Sequence, residues 1–402
     1  MENLLARAKV RWWLFIVRRK RKHGRFAEAL AILQKVIAAQ PGRALAFLQA
    51  GFCLTKLHRY EEALESYERA SQVAPNYGDA HAYAGLAHHE LGRNREAFES
   101  LSRAFRMRPT LTDDSYWLHM FGLISGNNEQ WERSLTAFTK LTESKSGEGS
   151  ANAWHGLGWS LAHLNRDSEA LAPLQHAIQL DPQSAAAHRE LGDSYFKLHQ
   201  FKEAVEQFQE YIRLQPDDPA GHHSLGMSYC ELGEFGSAVE PISRALALGP
   251  EFASVYFTLG LVHTELGQNE KAVSAFRNSL RLEPDNANTY LLLGCALHQL
   301  GTLAEAAAAC QKSLELNPEQ FEALVNLGDA YLQLGQVEEA RDILTRAGAV
   351  NSDDSKLHLS FGELYLKLGM RDEAYREHEV LRRLDPSLAD ALAKLLDVLP
   401  NA

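Results

Sequence analysis

Apolar residues recur along almost the whole chain at the three- and four-residue spacing of an amphipathic helix. Within residues 185–218, for example, Leu191, Tyr195 and Leu198 fall on one helical face. Prolines interrupt the pattern at regular intervals, and proline ends a helix because it lacks the backbone N–H and its ring clashes with the preceding turn. The pattern therefore predicts an all-α chain built from many short helices.

The prolines are spaced by 34 residues in two blocks. The first block is Pro41, Pro75 and Pro109, and the second is Pro182, Pro216, Pro250, Pro284 and Pro318, with Pro386 two further periods on. The interval from Pro109 to Pro182 is 73 residues, which is two periods and five additional residues. A fixed period of this length is typical of a repeat protein.

Two further series keep the same phase as the prolines. The eighth position of successive repeats is a glycine: Gly51, Gly85, Gly122, Gly158, Gly192, Gly226, Gly260, Gly294, Gly328 and Gly362. Twelve residues after each glycine comes an alanine, or a serine at Ser134. We interpret each repeat as two helices joined by a short turn, with the glycine allowing close approach and the small residue facing it. One such hairpin cannot bury its apolar face alone, so neighbouring hairpins are expected to stack into a solenoid.

This pattern resembles the tetratricopeptide repeat. The resemblance rests on the 34-residue period and, within residues 185–218, on Leu191, Gly192, Tyr195, Ala204, Phe208 and Pro216. It extends over residues 10–388, and residues 389–402 resemble the capping helix that closes such arrays. The resemblance implies an all-α, right-handed superhelical solenoid of about eleven helix-turn-helix repeats with a C-terminal capping helix.

We divide the chain into four parts. These are residues 1–111 with the N-terminal basic helix and repeats 1–3, residues 112–150 with an irregular fourth repeat and its loop, residues 151–388 with repeats 5–11, and residues 389–402 with the capping helix. In the fourth repeat, Ser134 and Ser146 replace the usual alanine and proline. This repeat is either a diverged one with a longer surface loop or a joint between two blocks of repeats.

Charge is distributed unevenly along the 402 residues. The net charge is −11, yet residues 1–25 contain nine basic residues and one acidic residue, so the rest of the chain carries −19. No run of 18 apolar residues is present, and the four cysteines form no CxxC pair. These features favour a protein of a reducing, cytoplasmic compartment, with peripheral membrane contact as an open alternative.

The N-terminal helix is the second unusual feature. We expect Trp13, Ile16 and Val17 to face the first hairpin. Five basic residues form a predicted N-terminal patch: Arg11, Arg18, Arg19, Arg21 and Lys22. Three interpretations stay open: a capping helix whose exposed face is merely charged, a contact with an anionic membrane surface through basic and interfacial tryptophan residues, or docking on an acidic partner. The acidic partner would be nucleic acid, the least favoured choice, or another copy of this chain.

No catalytic constellation is present in the sequence. The chain contains no GxSxG, P-loop or HExxH motif, and nearly every residue is assigned to a repeat or a cap. The adjacent histidine pairs, such as His222 and His223, point to different sides of a helix and are not placed to share a metal. We therefore predict a protein that is not an enzyme and has no cofactor or metal.

The resemblance also implies a binding surface, since in this family the first helices of the repeats line a concave groove. Its lining positions are the second, fifth, ninth, twelfth and thirteenth of each repeat. The predicted partner-binding residues are Asn152, His155, Trp159, Arg189, Asp193, Lys197, His223, Phe257 and Asp329. The same positions in the later repeats also hold Asn288, Leu291, Cys295, His298, Gln299, Glu322, Val325, Leu332, Gln333, Lys356, Leu359, Glu363, Leu366 and Lys367. Trp159 and Phe257 are either anchors for a partner or ordinary packing residues.

This mixed lining does not match two specialised binding modes of the family. No asparagine occupies the ninth position, as a clamp for a C-terminal carboxylate would need, and the sixth position holds no asparagine ladder. The sequence thus predicts a protein-interaction scaffold or adaptor that takes a peptide or helix in the groove. The alternatives are a self-assembling or membrane-recruited structural protein acting through its N-terminal helix, and a regulatory subunit of a separate enzyme.

Overall fold

The structure, a computed structural model, describes residues 2–249 and 252–398. Within these residues the chain forms 23 α-helices, one short 3-10 helix and no strand, which confirms the predicted all-α class. Pro250 of the proline series and residues 399–402 of the predicted capping segment lie outside the described residues.

The chain divides into two compact units, residues 1–200 and 201–402. The helices of the first unit are α1 (Glu2–Lys22), α2 (Phe26–Ala39), α3 (Ala44–Lys56), α4 (Tyr60–Val73), α5 (Gly78–Glu90), α6 (Asn94–Met107), the 3-10 helix (Pro109–Asp113), α7 (Ser115–Asn127), α8 (Trp131–Thr142), α9 (Ala151–His163), α10 (Asp167–Leu180) and α11 (Ala185–Lys197). The helices of the second unit are α12 (Phe201–Leu214), α13 (Pro219–Glu231), α14 (Phe235–Leu248), α15 (Ala253–Glu265), α16 (Asn269–Leu282), α17 (Ala287–Gln299), α18 (Leu303–Leu316), α19 (Phe321–Gln333), α20 (Val337–Val350), α21 (Ser355–Lys367), α22 (Arg371–Leu384) and α23 (Pro386–Val398).

Helix starts and stops follow local chemistry. Several first helices begin after a side chain that accepts hydrogen bonds from their first-turn N–H groups, as Asp114 does for α7 and Ser150 for α9. Second helices end two residues before the repeat proline, as α4 ends at Val73 before Pro75. These signals fix the two helices of each repeat at the predicted places.

A left-handed residue joins the two helices of each of the eleven repeats. Seven of these residues are glycines, and four carry a side chain: His58, Glu129, Asn165 and His199, with φ of 57–58°. Positive φ reverses the chain tightly and is costly for residues with a Cβ. The turn geometry is therefore kept even where the sequence lacks the favoured glycine.

Glycine at the eighth position makes room for a large side chain of the second helix. A Cβ built on Gly51 would lie 2.4 Å from the ring of Tyr67, and one on Gly260 would lie 2.4 Å from the ring of Phe276. Tyr67 and Phe276 are completely buried. The small residue that sequence analysis placed against the glycine contributes mainly its backbone oxygen, as Ala97 does near Gly85.

Neighbouring repeats stack through both sets of helices. Second helices pack on the first helix of the next repeat, as α8 does on α9 and α16 on α17. First helices also contact one another along each unit, as α7 contacts α9 and α9 contacts α11 in the first unit, and as α17 contacts α19 and α19 contacts α21 in the second. At the C-terminus, α23 packs on α21 and α22, and its Leu392 lies against Gly362. The arrangement is the predicted tetratricopeptide-type solenoid with its capping helix.

The irregular fourth repeat is well packed around its unusual serine. Ser134 is completely buried, and its hydroxyl donates to the backbone oxygen of Gly122 at 2.9 Å and lies 2.8 Å from the hydroxyl of Ser160. The 3-10 helix at Pro109–Asp113 contains part of the additional sequence. The four-part domain division and the joint at this repeat stay predictions.

Candidate functional site

The predicted groove residues are shared between the two units. Asn152, His155, Trp159, Arg189, Asp193 and Lys197 lie on α9 and α11 of the first unit, and His223, Phe257 and Asp329 lie on α13, α15 and α19 of the second. All nine are on first helices of their repeats. Within each unit, the surface that the first helices form is here called the A-face of that unit.

A pocket of about 410 Å³ opens on the A-face of the first unit. Four predicted residues line it: Asn152, His155, Trp159 and Arg189. They meet because positions three and four apart share one side of a helix, and α7, α9 and α11 lie next to one another. His119 and Asn127 of α7 and Glu190 of α11 complete the polar part of the lining and were not among the predicted residues. Asp193 and Lys197 lie outside this lining.

Aromatic rings form one wall of the pocket. The rings of Trp159 and Trp131 meet edge to face with centroids 4.9 Å apart, and Trp131 stacks on His163 at 4.0 Å. A Cβ on Gly126 would lie 2.2 Å from the Trp159 ring. Trp159 is thus a packed residue and a pocket residue at once, so its ring is held in place before any partner arrives.

Burial favours the neutral form of both histidines in the pocket. Burial lowers the pKa of His155 and of His119 below the usual value, because the charged form loses hydration. The Nε2 of His155 is buried and has no hydrogen-bond partner among the described residues. A buried imidazole nitrogen without a partner can bond to a ligand group, so the pocket has unused polar capacity.

A cluster of charges adjoins the pocket on α10 and α11. Arg189 donates to Glu190 at 3.1 Å, and Lys197 donates to Asp167 at 3.4 Å. Glu190 and Asp167 are buried. Burial, together with the neighbouring Glu190, raises the pKa of Asp193 to about 6, against the opposing effect of Arg189 and Lys197. Ionisation of Asp193 at neutral pH therefore lowers the stability of the folded state.

Replacing this carboxylate should stabilise the protein in a pH-dependent way. The pKa of Asp193 is higher in the folded state, at about 6, than its ordinary 3.8, so the folded state binds the proton more tightly and loses stability as pH rises from 3.8 through 6. We expect Asp193→Asn to raise the free energy of unfolding at neutral pH by roughly 1–2 kcal/mol, and the gain to vanish near pH 4. Urea unfolding of both chains at the two pH values measures this. A variant that is less stable at neutral pH would mean that Arg189 and Lys197 outweigh burial.

A pocket on the A-face of the second unit is lined by residues other than the predicted partner-binding ones. It measures about 580 Å³ and is formed mainly by α17 and α19, with Lys356 from the start of α21. None of His223, Phe257 and Asp329 lines it. Seven residues at the groove positions do line it: Leu291, Cys295, His298, Gln299, Glu322, Val325 and Lys356. The groove positions therefore coincide with part of this lining, and the role of these residues in partner binding stays a prediction.

The three predicted residues of the second unit make contacts within the fold. His223 Nε2 lies 3.2 Å from the hydroxyl of Thr258, and Phe257 packs beside Phe276 with ring centroids 6.1 Å apart. Asp329 accepts a hydrogen bond from Ser360 at 2.5 Å, and burial raises its pKa. All three are partly buried, and their contribution to binding stays a prediction.

The predicted N-terminal basic patch divides between two sides of α1. Arg18, Arg21 and Lys22 line a pocket with Leu14, Phe26 and Phe52, where the Arg21 guanidinium lies 4.3 Å from the centre of the Phe52 ring. Arg19 instead lines a second pocket with Trp12, Phe15 and Ile16. Arg11 is exposed.

The side of α1 that faces the first hairpin differs from the predicted one at Ile16. Val10 and Val17 are buried and Trp13 packs behind them. Ile16, which was expected on this side, lines the outer pocket beside Trp12 and Phe15. Ile16 directly precedes Val17, and the helical rotation of about 100° per residue turns Ile16 away from the hairpin.

Residues 133–358, more than half of the chain, match the family model of the cilia and flagella-associated protein 70 C-terminal domain, and residues 20–88 match a tetratricopeptide-repeat model. The chain belongs to the tetratricopeptide-repeat family that these models describe. Proteins of this family generally mediate protein–protein interactions, and no enzyme family is indicated.

Solved structures with a similar fold include other solenoids of this kind. The crystal structure of the anaphase-promoting-complex hetero-tetramer Cut9-Hcn1 is 16% identical with a TM-score of 0.46, covering 96% of this chain and 89% of that one. MamA from Desulfovibrio magneticus RS-1 is 22% identical with a TM-score of 0.41, covering 42% of this chain and 96% of that one. No curated protein matches the chain. Over the described residues, none of the helices has the length and apolarity needed to cross a membrane.

Proposed function

We propose that the protein is a non-catalytic scaffold that binds a partner protein, as a peptide or a helix, on its A-face. The observation that carries the proposal is the pocket of the first unit, where α9 places Asn152, His155 and Trp159, α11 places Arg189 and α7 places His119 around one opening. A pocket shared by three repeats suits an elongated ligand better than a compact one, because the ligand can cross the helices in turn.

The chemistry of the pocket favours a partner with alternating apolar and polar groups. Trp159 offers a fixed aromatic wall, and such rings contribute strongly at interfaces because little conformational entropy is lost on binding. Arg189 and the neutral His155 offer hydrogen bonds to carboxylates, carbonyls or amides. A partner residue that is large and apolar, next to an acidic or amide residue, would satisfy both parts.

The A-face pocket of the second unit has a similarly mixed lining. In its pocket, the amide of Asn326 donates to the Cys295 sulfur at 3.1 Å, and Lys356 supplies a positive charge. Polar, apolar and basic groups thus alternate here as well. This likeness supports peptide or helix binding as the shared function of the A-face.

Simultaneous replacement of three A-face residues should remove binding. We expect Trp159→Ala, Arg189→Ala and Asp193→Ala together to weaken partner affinity at least about a hundredfold, since each anchoring side chain contributes about 1–2 kcal/mol or more. The measurement is affinity purification of the full chain from its native source, followed by titration of the recovered partner with both chains.

A matched control changes one apolar, one basic and one acidic residue away from the A-face. Leu180→Ala, Arg106→Ala and Asp217→Ala remove exposed side chains of the same types, and this variant should bind like the unmodified chain. If the A-face variant keeps full affinity, or if the control loses it, the partner binds another surface and the proposal fails.

A further inference from the structure

Helix α1 has one face packed on the protein and an opposite face that is uncovered among the described residues. On the packed face, Val10 is 2% exposed and Val17 is 0% exposed. On the opposite face, Trp12 is 62% and Phe15 is 64% exposed. These are the two most exposed large hydrophobic side chains in the described part of the chain, so this face is not explained by folding.

Basic side chains surround this aromatic pair. Trp12 and Phe15 line a shallow pocket of about 520 Å³ with Ile16, Arg19, Lys20, His23 and Arg25. Arg11, Arg18 and Lys22 are exposed on the flank of the helix between this pocket and the pocket beside Phe52, which Arg18 and Lys22 also line. The surface formed by these residues is here called the α1 outer surface.

One acidic residue, Glu28, partly neutralises the positive charge of this surface. Glu28 of α2 forms a salt bridge with Lys20 and lies 3.9 Å from Arg25. Glu28 remains ionised, because its hydrogen bond with Lys20 lowers its pKa. The arginines and Lys22 on the flank leave the α1 outer surface strongly positive.

We infer that the α1 outer surface docks on an anionic lipid membrane. Trp12, Phe15 and Ile16 would enter the interfacial layer, where amphipathic aromatic rings are favoured. Arg11, Arg18, Arg19 and Lys22 would lie at the level of the headgroup phosphates. Exposed aromatic groups with basic residues on both flanks are the combination that binds helices to anionic lipid surfaces without spanning them.

Charge favours an anionic membrane over a second copy, stacked head to tail, as the partner of the α1 outer surface. Such a copy would offer its C-terminal helices, and residues 371–398 contain seven acidic and five basic residues. That near balance complements the α1 outer surface poorly. A lipid bilayer with anionic headgroups presents a dense negative charge above an apolar layer, which matches both components of the surface.

Vesicle sedimentation of the full chain tests this inference. The chain should sediment with vesicles of equal parts phosphatidylcholine and phosphatidylglycerol, and should stay in solution with phosphatidylcholine alone. Trp12→Ser with Phe15→Ser should weaken binding at least about tenfold by removing the inserted rings. Arg11→Glu, Arg18→Glu and Arg19→Glu together should weaken it roughly a hundredfold or more.

Matched variants separate the local surface from the overall composition. Tyr116→Ser with Phe252→Ser removes the next most exposed aromatic side chains, 54% and 50% exposed, and should leave vesicle binding unchanged. Arg69→Glu, Arg106→Glu and Arg376→Glu change the net charge equally at other exposed sites and should weaken binding far less than reversal on α1.

Two results would overturn the inference. The first is absence of binding to the anionic vesicles, or equal loss in the α1 and control variants. The second is sedimentation-velocity evidence that the unmodified chain self-associates without binding vesicles and that Trp12→Ser with Phe15→Ser abolishes the association, which would assign the surface to a second copy. Neither result bears on the pocket of α7, α9 and α11, because the α1 variants and the A-face variants change different residues on different helices.

Discussion

Phe138→Ala is expected to lower the free energy of unfolding by about 3–5 kcal/mol, the range for removing a fully buried phenylalanine. Phe138 is 1% exposed, and its ring lies between two glycines. A Cβ on Gly122 of the same repeat would lie 2.7 Å from the ring, and one on Gly156 of the next repeat would lie 2.4 Å away. Neither glycine has a side chain to fill the space, so the cavity would stay open.

Urea unfolding followed by circular dichroism measures this loss, with hydrogen exchange to localise it. Each repeat is stabilised by contacts with its nearest neighbours only. Hydrogen exchange should therefore increase first in α7, α8 and α9. Phe252→Ala, at a side chain that is 50% exposed, is the control and should change stability by less than about 0.5 kcal/mol. A loss below about 1 kcal/mol for Phe138→Ala would show that the two repeats collapse onto the cavity.

The second large effect is expected at the glycine of the eighth repeat. Gly260→Leu should destabilise the second unit by about 3 kcal/mol or more, since overpacking a rigid core is costly. A Cβ there would meet the Phe276 ring at 2.4 Å, and Phe276 is completely buried. The helices α15 and α16 would have to separate.

A compensating substitution tests the cause. Gly260→Leu combined with Phe276→Ala should be clearly more stable than the sum of the two single effects predicts, because the leucine would fill part of the space that the ring leaves. Chemical denaturation of the four chains supplies this double-mutant cycle. Additive losses would contradict direct packing between positions 260 and 276.

The fold was predictable because one short pattern is repeated. The 34-residue period, the glycines and the prolines each follow from hairpin packing, and many copies outweigh local exceptions such as Ser134. The non-glycine turn residues His58 and Glu129 show the limit of the pattern. Their left-handed geometry is imposed by the hairpin on either side and has no local sequence signal.

The candidate site was predictable by position more than by residue type. The groove positions predicted part of the lining of both A-face pockets, including Trp159 in the first unit and Lys356 in the second. Phe257 and Asp329 line neither pocket, because Phe257 packs beside Phe276 and Asp329 accepts a hydrogen bond from Ser360. Glu190 lies at a sixth position of its repeat, outside the groove positions used for the prediction.

The exposed face of α1 needed the three-dimensional structure. Sequence alone placed Ile16 toward the protein and treated the basic residues as one patch. The rotation of α1 on α2 was required to separate Trp12, Phe15 and Arg19 from Leu14 and Arg21 on the other side, with Arg18 and Lys22 on the flank between them.

Site-specific photo-crosslinking tests most directly whether the A-face binds the partner. A photoreactive phenylalanine analogue would replace Asn152 or Ala186 on first helices, or Lys140 or Gln179 on second helices, in the full chain. All four positions are exposed. If the partner binds the A-face, crosslinks to one partner form from positions 152 and 186, and few or none form from positions 140 and 179. Crosslinks that form mainly from the second-helix positions would contradict binding at the A-face.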